Sequence, residues 1–357
     1  MKSGLLAHAL VLIIVCGVAR GEPCTVLGDY VGSEDITIWH DGFAFVTSGY
    51  KSNGTILAMT LESGAPKLHE LEIVDMPTSP YSFRPWGMYL DNRTQQIFAV
   101  SHGDELSKEQ TIAVLAIEDG AESMMPRLRF KFALTSPRVP YYGNDVYWFL
   151  NDLVVARRTD GTDEIFVTQF GPLNGDYKEF HLWRCTFAAD GVPTDGRLPM
   201  ECEPAVTAPS GFNGVTISGD GRRLWLNQLW EKRIWAVHRD PASGALSRME
   251  AEDFSLANFA DNLEWDDASG SLFVGDVGGV TMEPFKYHFD GGQLTLHPDG
   301  EAKQKLGFRQ PASAALGDYV VSSAVPLSHD WLIVGSPYNK GLAVCKIEEG
   351  GISKEEL

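Results

Sequence analysis

Four segments of this chain open on an acid or an amide and run at once into an apolar stretch. They are Glu34-Asp35 before ITIW, Asn151-Asp152 before LVVA, Asn213 before GVTI, and Asp261-Asn262 before LEW. Carboxylate and carboxamide oxygens are hard donors, and a set drawn to one point suits a hard cation, most commonly Ca²⁺. The carbonyl oxygens of Asn151, Asn213 and Asn262, with the carboxylates of Glu34 and Asp261, make five ligands carrying two negative charges. A Ca²⁺ held there is close to neutralised and keeps coordination positions open. Such an ion binds a substrate carbonyl, polarises it and stabilises the oxyanion formed on attack by water. One Asn or Asp before a strand is most simply a turn-former, bonding its own backbone. Four at one structural position argue for more. Their neighbours Asp35 and Asp152 alternate away from the first set along the chain and offer ligands for a second, structural ion.

Such a convergence needs elements that repeat. FNGVTISGDGRRLWLNQ (212–228) reads as a strand, a tight Asp220-Gly221 turn and a second strand. The pattern returns at Glu34, near Met88, at Asn151, at Asn262 and near Ser322, at intervals of roughly 50 to 70 residues. About six copies of a hairpin predict an all-β, six-bladed β-propeller, with the first strand of each hairpin lining a central tunnel. Thirty-six glycines and 19 prolines spread along the chain suit many short strands and turns. Lys67 to Val74 reads as one outer strand of the first blade. Residues 119–150, with their prolines and clustered aromatics, read as a long connection.

The totals narrow the partners. A formal charge of −19 opposes nucleic acid, whose phosphates need a basic face, and anionic membranes alike. Residues 1–21 read as a signal peptide: Met1-Lys2, the apolar run from Leu5 to Ala19, then small residues, with cleavage before Glu22. An uncleaved anchor is the competing reading. Residues 22–357 then form a single propeller domain ending in Lys354-Glu355-Glu356-Leu357, a variant of the ER-retrieval tail. This predicts a secretory-pathway protein, secreted or held in the ER lumen, with a retrieval receptor as a possible partner. Asn53 and Asn92 lie in glycan-acceptor triplets.

Of five cysteines, Cys16 leaves with the signal peptide. Cys24 lies in the first strand and Cys345 in the last apolar strand, so a bond between them would staple the seam where a propeller must close. Elimination then pairs Cys185 with Cys202. No Gly-x-Ser-x-Gly elbow, His-Glu-x-x-His or Cys-x-x-Cys occurs, which removes the common serine-hydrolase, zinc and thiol signatures.

Several segments, in order, resemble the paraoxonase/arylesterase family of calcium-dependent lactonases: GSEDITI (32–38), LNDLVV (150–155), NGVTISGDGRRLWL (213–226), ADNLEWDDASGSLFVGD (260–276) and the two end cysteines. The resemblance implies a six-bladed propeller closed by Cys24–Cys345, with two Ca²⁺ ions in its tunnel. It assigns the catalytic ion to Glu34, Asn151, Asn213, Asp261 and Asn262. It assigns the structural ion to Asp35, Asp152 and the backbone oxygen of Met88. The implied activity is hydrolysis of lactones and aryl esters. The family carries a histidine pair over the catalytic ion. His102 matches its second member, whereas Trp86 stands in place of the first, and tryptophan cannot take a proton. Two consequences follow. Either the ion supplies most of the catalysis, with Glu34 or Asp261 activating water, His102 assisting and Trp86 walling the substrate pocket, or the protein is a non-hydrolytic ER-lumen chaperone or binding protein. A gluconolactonase-type propeller with a single metal is a third reading.

Overall fold

The computed structural model describes residues 24–49, 54–77, 83–102, 110–118, 125–135, 150–171, 179–188, 196–250, 253–255, 259–267, 271–277, 280–281, 286–287, 294–296, 322–328 and 330–346. The expected signal peptide, Asn53 and the C-terminal tail lie outside these residues. Asn92 lies in an exposed turn. No helix among the described residues is long and apolar enough to cross a membrane.

Every regular element in these residues is a strand. The first sheet takes Ile36–His40, Phe43–Ser48, Thr55–Glu62 and Ala65–Glu70 in chain order. The second takes Pro85–Asp91, Gln96–Ser101, Thr111–Glu118 and Arg127–Thr135, and the third Leu150–Arg157, Asp163–Gln169, Phe180–Thr186 and Glu201–Ala208. The fourth begins with Phe212–Ile217, Arg223–Gln228 and Arg233–Arg239, and the fifth with Phe259–Asp266 and Ser271–Val277. The sixth joins Ser323–Ser328 and Trp331–Lys346 to the chain's own beginning, Cys24–Ser33. The first strand of each sheet touches the first strand of the next, and the sixth returns to the first. This closed ring of inner strands is a propeller built around an axis.

Second strands are buried on both faces, because each sheet is covered by a neighbour on either side. Phe43–Ser48 is buried throughout, whereas the edge strand Ala65–Glu70 is largely open to solvent. That is why the inner hairpins read as continuous apolar runs instead of alternating ones. Separate apolar layers fill the gaps. Phe45 and Ile56 meet Ile97 and Leu115 between the first two sheets. Val154 and Phe166 meet Val215 and Leu226 between the third and fourth.

The closure is as expected. Cys24 pairs with Cys345 in the antiparallel register of the sixth sheet, and a disulfide joins them across 321 residues of chain. In the chain-entropy view a loop of that length stabilises the fold by roughly 5 kcal/mol. Cys185 and Cys202 are also bonded, as cross-strand neighbours in the third sheet.

Two expectations are corrected. Residues 127–135 are not part of a connection: RLRFKFALT is the fourth strand of the second sheet, its apolar residues alternating with Arg127, Arg129 and Lys131. The outer strand of the first blade ends at Glu70, and Ile73–Val74 crosses to pair in parallel with Leu128 and Arg129 of the second.

Candidate metal centre

Four of the six inner strands are bent at the same place. Leu150 pairs with Gln169 and Leu153 with Val167, so the inner strand carries one residue more than its partner at Asn151-Asp152. The same irregularity falls at Asn213-Gly214, at Asp261-Asn262 and at Trp86-Gly87. Glu34-Asp35 stands directly before the inner strand of the first sheet. A β-bulge kinks its strand and re-aims the side chains it carries. Here it turns them from the gaps between blades toward the tunnel. Glycine is needed where the blades then come closest. A Cβ on Gly214 would lie 2.7 Å from the Asp261 carbonyl oxygen, and one on Gly87 only 2.3 Å from that of Asn151.

Four of the five expected oxygen-bearing residues, Glu34, Asn262, Asp261 and Asn213, are linked to one another at this level. Asn262 Nδ2 donates to the Glu34 carbonyl oxygen at 2.9 Å, and the Asn213 side chain hydrogen-bonds the Asp261 carboxylate. Glu34 Oε2 and the Oδ1 atoms of Asn151, Asn213 and Asn262 are buried, and among the described residues no donor reaches any of them. Buried acceptors are almost always satisfied, so four such oxygens at the starts of inner strands leave a place for a partner that is not protein. A hard cation is the partner this donor set fits. No group of three or more His, Cys, Asp or Glu side chains with metal-site geometry occurs among the described residues, and three of the five expected ligands are carboxamides.

Protonation reports the same crowding. Burial, with repulsion from Asp261, Asp35 and Asp152, pushes Glu34 well above the usual carboxylate range. Burial and Asp35 do the same to Asp152. Burial raises Asp35 to about 7 against the pull of two backbone N–H donors. Asp261 keeps some solvent contact as a residue, yet its carboxyl lies deep enough for burial to raise it to about 7. Asp35 and Asp261 thus bind a proton more tightly folded than unfolded, where the pKa is about 4. Their contribution to the stability of the metal-free protein is full below pH ~4 and is lost as the pH rises through about 7. In EDTA, the melting temperature is expected to fall between about pH 5 and pH 8, and Asp261→Asn, which mimics the protonated acid, to flatten that fall. Equal pH dependence in the two proteins would show that Asp261 is not a buried charge.

A chain of hydrogen bonds joins each blade to the next at this level. Asp35 Oδ2 accepts from Met88 N at 2.6 Å, and the His102 ring donates from Nε2 to the Leu150 carbonyl oxygen at 2.6 Å. Asp152 Oδ2 accepts from Val215 N at 2.8 Å, and Thr168 Oγ1 donates to the Asn213 carbonyl oxygen. Asn227 Nδ2 donates to the Asp261 carbonyl oxygen. Asn262 N donates to Ser322 O at 2.9 Å, and Ser322 Oγ to Glu34 O at 2.7 Å.

These joints give several of the expected site residues partners within the protein. Asp35 and Asp152 each already accept two backbone N–H groups, their own next residue's and the following blade's. Met88 meets Asp35 through its N–H. Through these bonds Asp35 and Asp152 each tie their own strand to the next blade. His102 is fully buried, packed against Trp86 at 4.5 Å between ring centroids, and burial drops its pKa to about 4. A neutral imidazole with its Nε2–H committed to Leu150 is poorly matched to proton transfer at neutral pH. Its visible task is to hold the strand that presents Asn151. Trp86 sits at the second blade's bulge, where four other blades bring oxygen.

Thr168, Asn227 and Ser322 were not anticipated. A signal existed for the first two. The second strands share a quartet: FVTS, FAVS, FVTQ, WLNQ, FVGD and IVGS at 45–48, 98–101, 166–169, 225–228, 273–276 and 333–336. Its third residue stands opposite the bulge in the second to fifth sheets.

No protein-family model matches the chain. It is 24% identical over 273 residues to human serum paraoxonase/arylesterase 1, covering 70% of this chain and 67% of that protein. It is 24% identical over 260 residues to rat serum paraoxonase/lactonase 3, covering 68% and 66%. Among solved structures, a luciferin-regenerating enzyme superposes with a TM-score of 0.50 at 12% identity, over 92% of this chain and 96% of that one. That likeness is one of fold. The chain is thus a disulfide-closed β-propeller, distantly similar in sequence to the serum paraoxonases.

Proposed function

We propose that the protein is a calcium-dependent hydrolase of lactones and aryl esters. The observation that most supports it is the ring of four buried, donorless oxygens on Glu34, Asn151, Asn213 and Asn262. The distant similarity to paraoxonases named for aryl ester and lactone chemistry points the same way. Glu34, Asn151, Asn213, Asp261 and Asn262 would hold one Ca²⁺. When bound, the ion would polarise the substrate carbonyl and offset the negative charge that develops on its oxygen. Glu34 and Asp261 balance the cation and are the proton acceptors for the attacking water. Trp86, at the bulge that lacks an oxygen donor, walls the substrate side of the ring. Asn151, Asn213 and Asn262 are neutral, so they bind without adding charge that would oppose the ester. A second ion on Asp35 and Asp152 rests on their alternation along the strand and on the family resemblance, and the Met88 carbonyl on the resemblance alone. The two disulfides fit an oxidising compartment, and secretion or residence in the ER lumen is part of the proposal.

The committed state of His102 and the tryptophan at 86 favour a second reading, a non-hydrolytic calcium-binding relative in the ER lumen. One experiment separates the two. A panel of lactones and aryl esters is assayed with Ca²⁺, with EDTA and after Ca²⁺ is restored. Hydrolysis lost in EDTA and regained with Ca²⁺ is expected. Binding of Ca²⁺ without turnover of either class selects the second reading, and no binding at all rejects both.

A further inference from the structure

The third residue of the second-strand quartet faces the next blade's bulge. Thr168 reaches the carbonyl oxygen of Asn213 at 2.5 Å, and Asn227 that of Asp261. At the corresponding Gly275 and Gly335, a Cβ would sit 2.1 Å from the Ser322 carbonyl oxygen and 2.5 Å from that of Ser33. One position thus sets the spacing between a blade and its successor at the height of the ring. In the fourth blade that residue is Asn227, fully buried. Its amide is oriented by the carbonyl it donates to, which leaves its own Oδ1 buried without a donor. An unsatisfied buried oxygen is unfavourable, and threonine at this position would avoid it. A small polar residue that keeps such a defect is explained better by what its N–H holds than by stability.

We infer that Asn227 is a positioning residue for the metal ring: its side-chain N–H fixes the Asp261 carbonyl and so aims the Asp261 and Asn262 side chains at the ion. This rests on the reading of the ring as a Ca²⁺ site. The joint lies between the two blades that bring Asn213, Asp261 and Asn262. Asn213 also bonds the Asp261 carboxylate, so movement of that backbone displaces a contiguous set of donors.

The test compares Asn227→Thr with Asn227→Val in the full secreted chain. The two side chains have the same shape and differ by one hydroxyl, and Thr168 shows that threonine reaches the next blade from here. Ca²⁺ dissociation constants are measured by calorimetry, and melting temperatures in EDTA and in saturating Ca²⁺. Asn227→Val is expected to weaken Ca²⁺ binding roughly tenfold to a hundredfold, the range for residues that orient ligands. Asn227→Thr should stay within about threefold of the parent. The rise in melting temperature on adding Ca²⁺ should shrink in the valine variant only. Equal affinity in parent, valine and threonine proteins overturns the positioning role while leaving the Ca²⁺ site standing. A valine variant whose melting temperature drops equally in EDTA and in Ca²⁺, with unchanged affinity, is a structural residue only and also overturns it. A parent protein that binds no Ca²⁺ removes the site and this inference together.

Discussion

Asp261→Ala is expected to weaken Ca²⁺ binding by at least roughly a hundredfold and to lower kcat/KM on lactones by about 10²- to 10³-fold. In the proposed site Asp261 is one of two charged members, and its carboxylate is tied to Asn213, so its loss would remove one ligand and free a second. What acts on the protonation of Glu34, Asp35, Asp152 and Asp261 is burial, one another and amide donors, with no cation among these influences. Four acids gathered this way repel one another until something positive arrives. The same change therefore has an opposite effect without metal: in EDTA at pH 8, Asp261→Ala should melt higher than the parent. Calorimetry, an ester assay and two melting curves measure all of this. Unchanged affinity and unchanged turnover would remove Asp261 from the site. A lower melting temperature in EDTA would show that the carboxylate stabilises the metal-free fold and that the repulsion argument is wrong.

Arg239→Met should cost about 3–5 kcal/mol of folding stability while leaving the metal ring intact. Arg239 and Glu164 are both fully buried between the third and fourth blades, Nη2 to Oε2 at 2.6 Å. Arg239 also donates from Nη1 to the Gly221 carbonyl oxygen at 3.1 Å and lies over the Phe166 ring. Glu164 fits only because residue 244 is glycine: a Cβ there would lie 2.1 Å from Oε1. Arg184 is the other cation near Glu164, 3.9 Å away. Removing Arg239 strands the Glu164 carboxylate in an apolar gap, which is where the loss arises. Removing both charges, in Arg239→Met with Glu164→Gln, is expected to recover most of it, since a buried pair is worth little against its neutral replacement. Denaturant unfolding of the single and double variants reads the difference. A single variant within about 1 kcal/mol of the parent would mean that Glu164 takes up a proton or finds water at negligible cost. Glu164 pairs with Ala156, at the end of its hairpin away from Asn151, so Ca²⁺ affinity should not change.

The hairpins were legible because their signal is local. Asp41-Gly42 and Asp220-Gly221 sit at turns, with positive φ at both glycines, and the apolar runs on either side are the doubly covered strands. Arg127–Thr135 was missed although its alternation is plain in RLRFKFALT, because the prolines and aromatics around it outweighed the pattern. Ile73–Val74 was misassigned for a different reason: two residues that cross to a neighbouring sheet carry no period of their own.

By itself, the sequence determined the repeating hairpin, the cysteines that close the ring and the residue types that gather at the tunnel, because each is a matter of local pattern or of counting. The tertiary structure alone decided what those side chains face. Asp35 and Asp152 bracket the N–H groups of Met88 and Val215, His102 holds Leu150, Asn227 holds Asp261, and Arg239 finds Glu164. Every one of these contacts crosses from one blade to the next. Their geometry depends on bulge position and on how closely two sheets approach, and neither is encoded in the spacing of residues along a single strand.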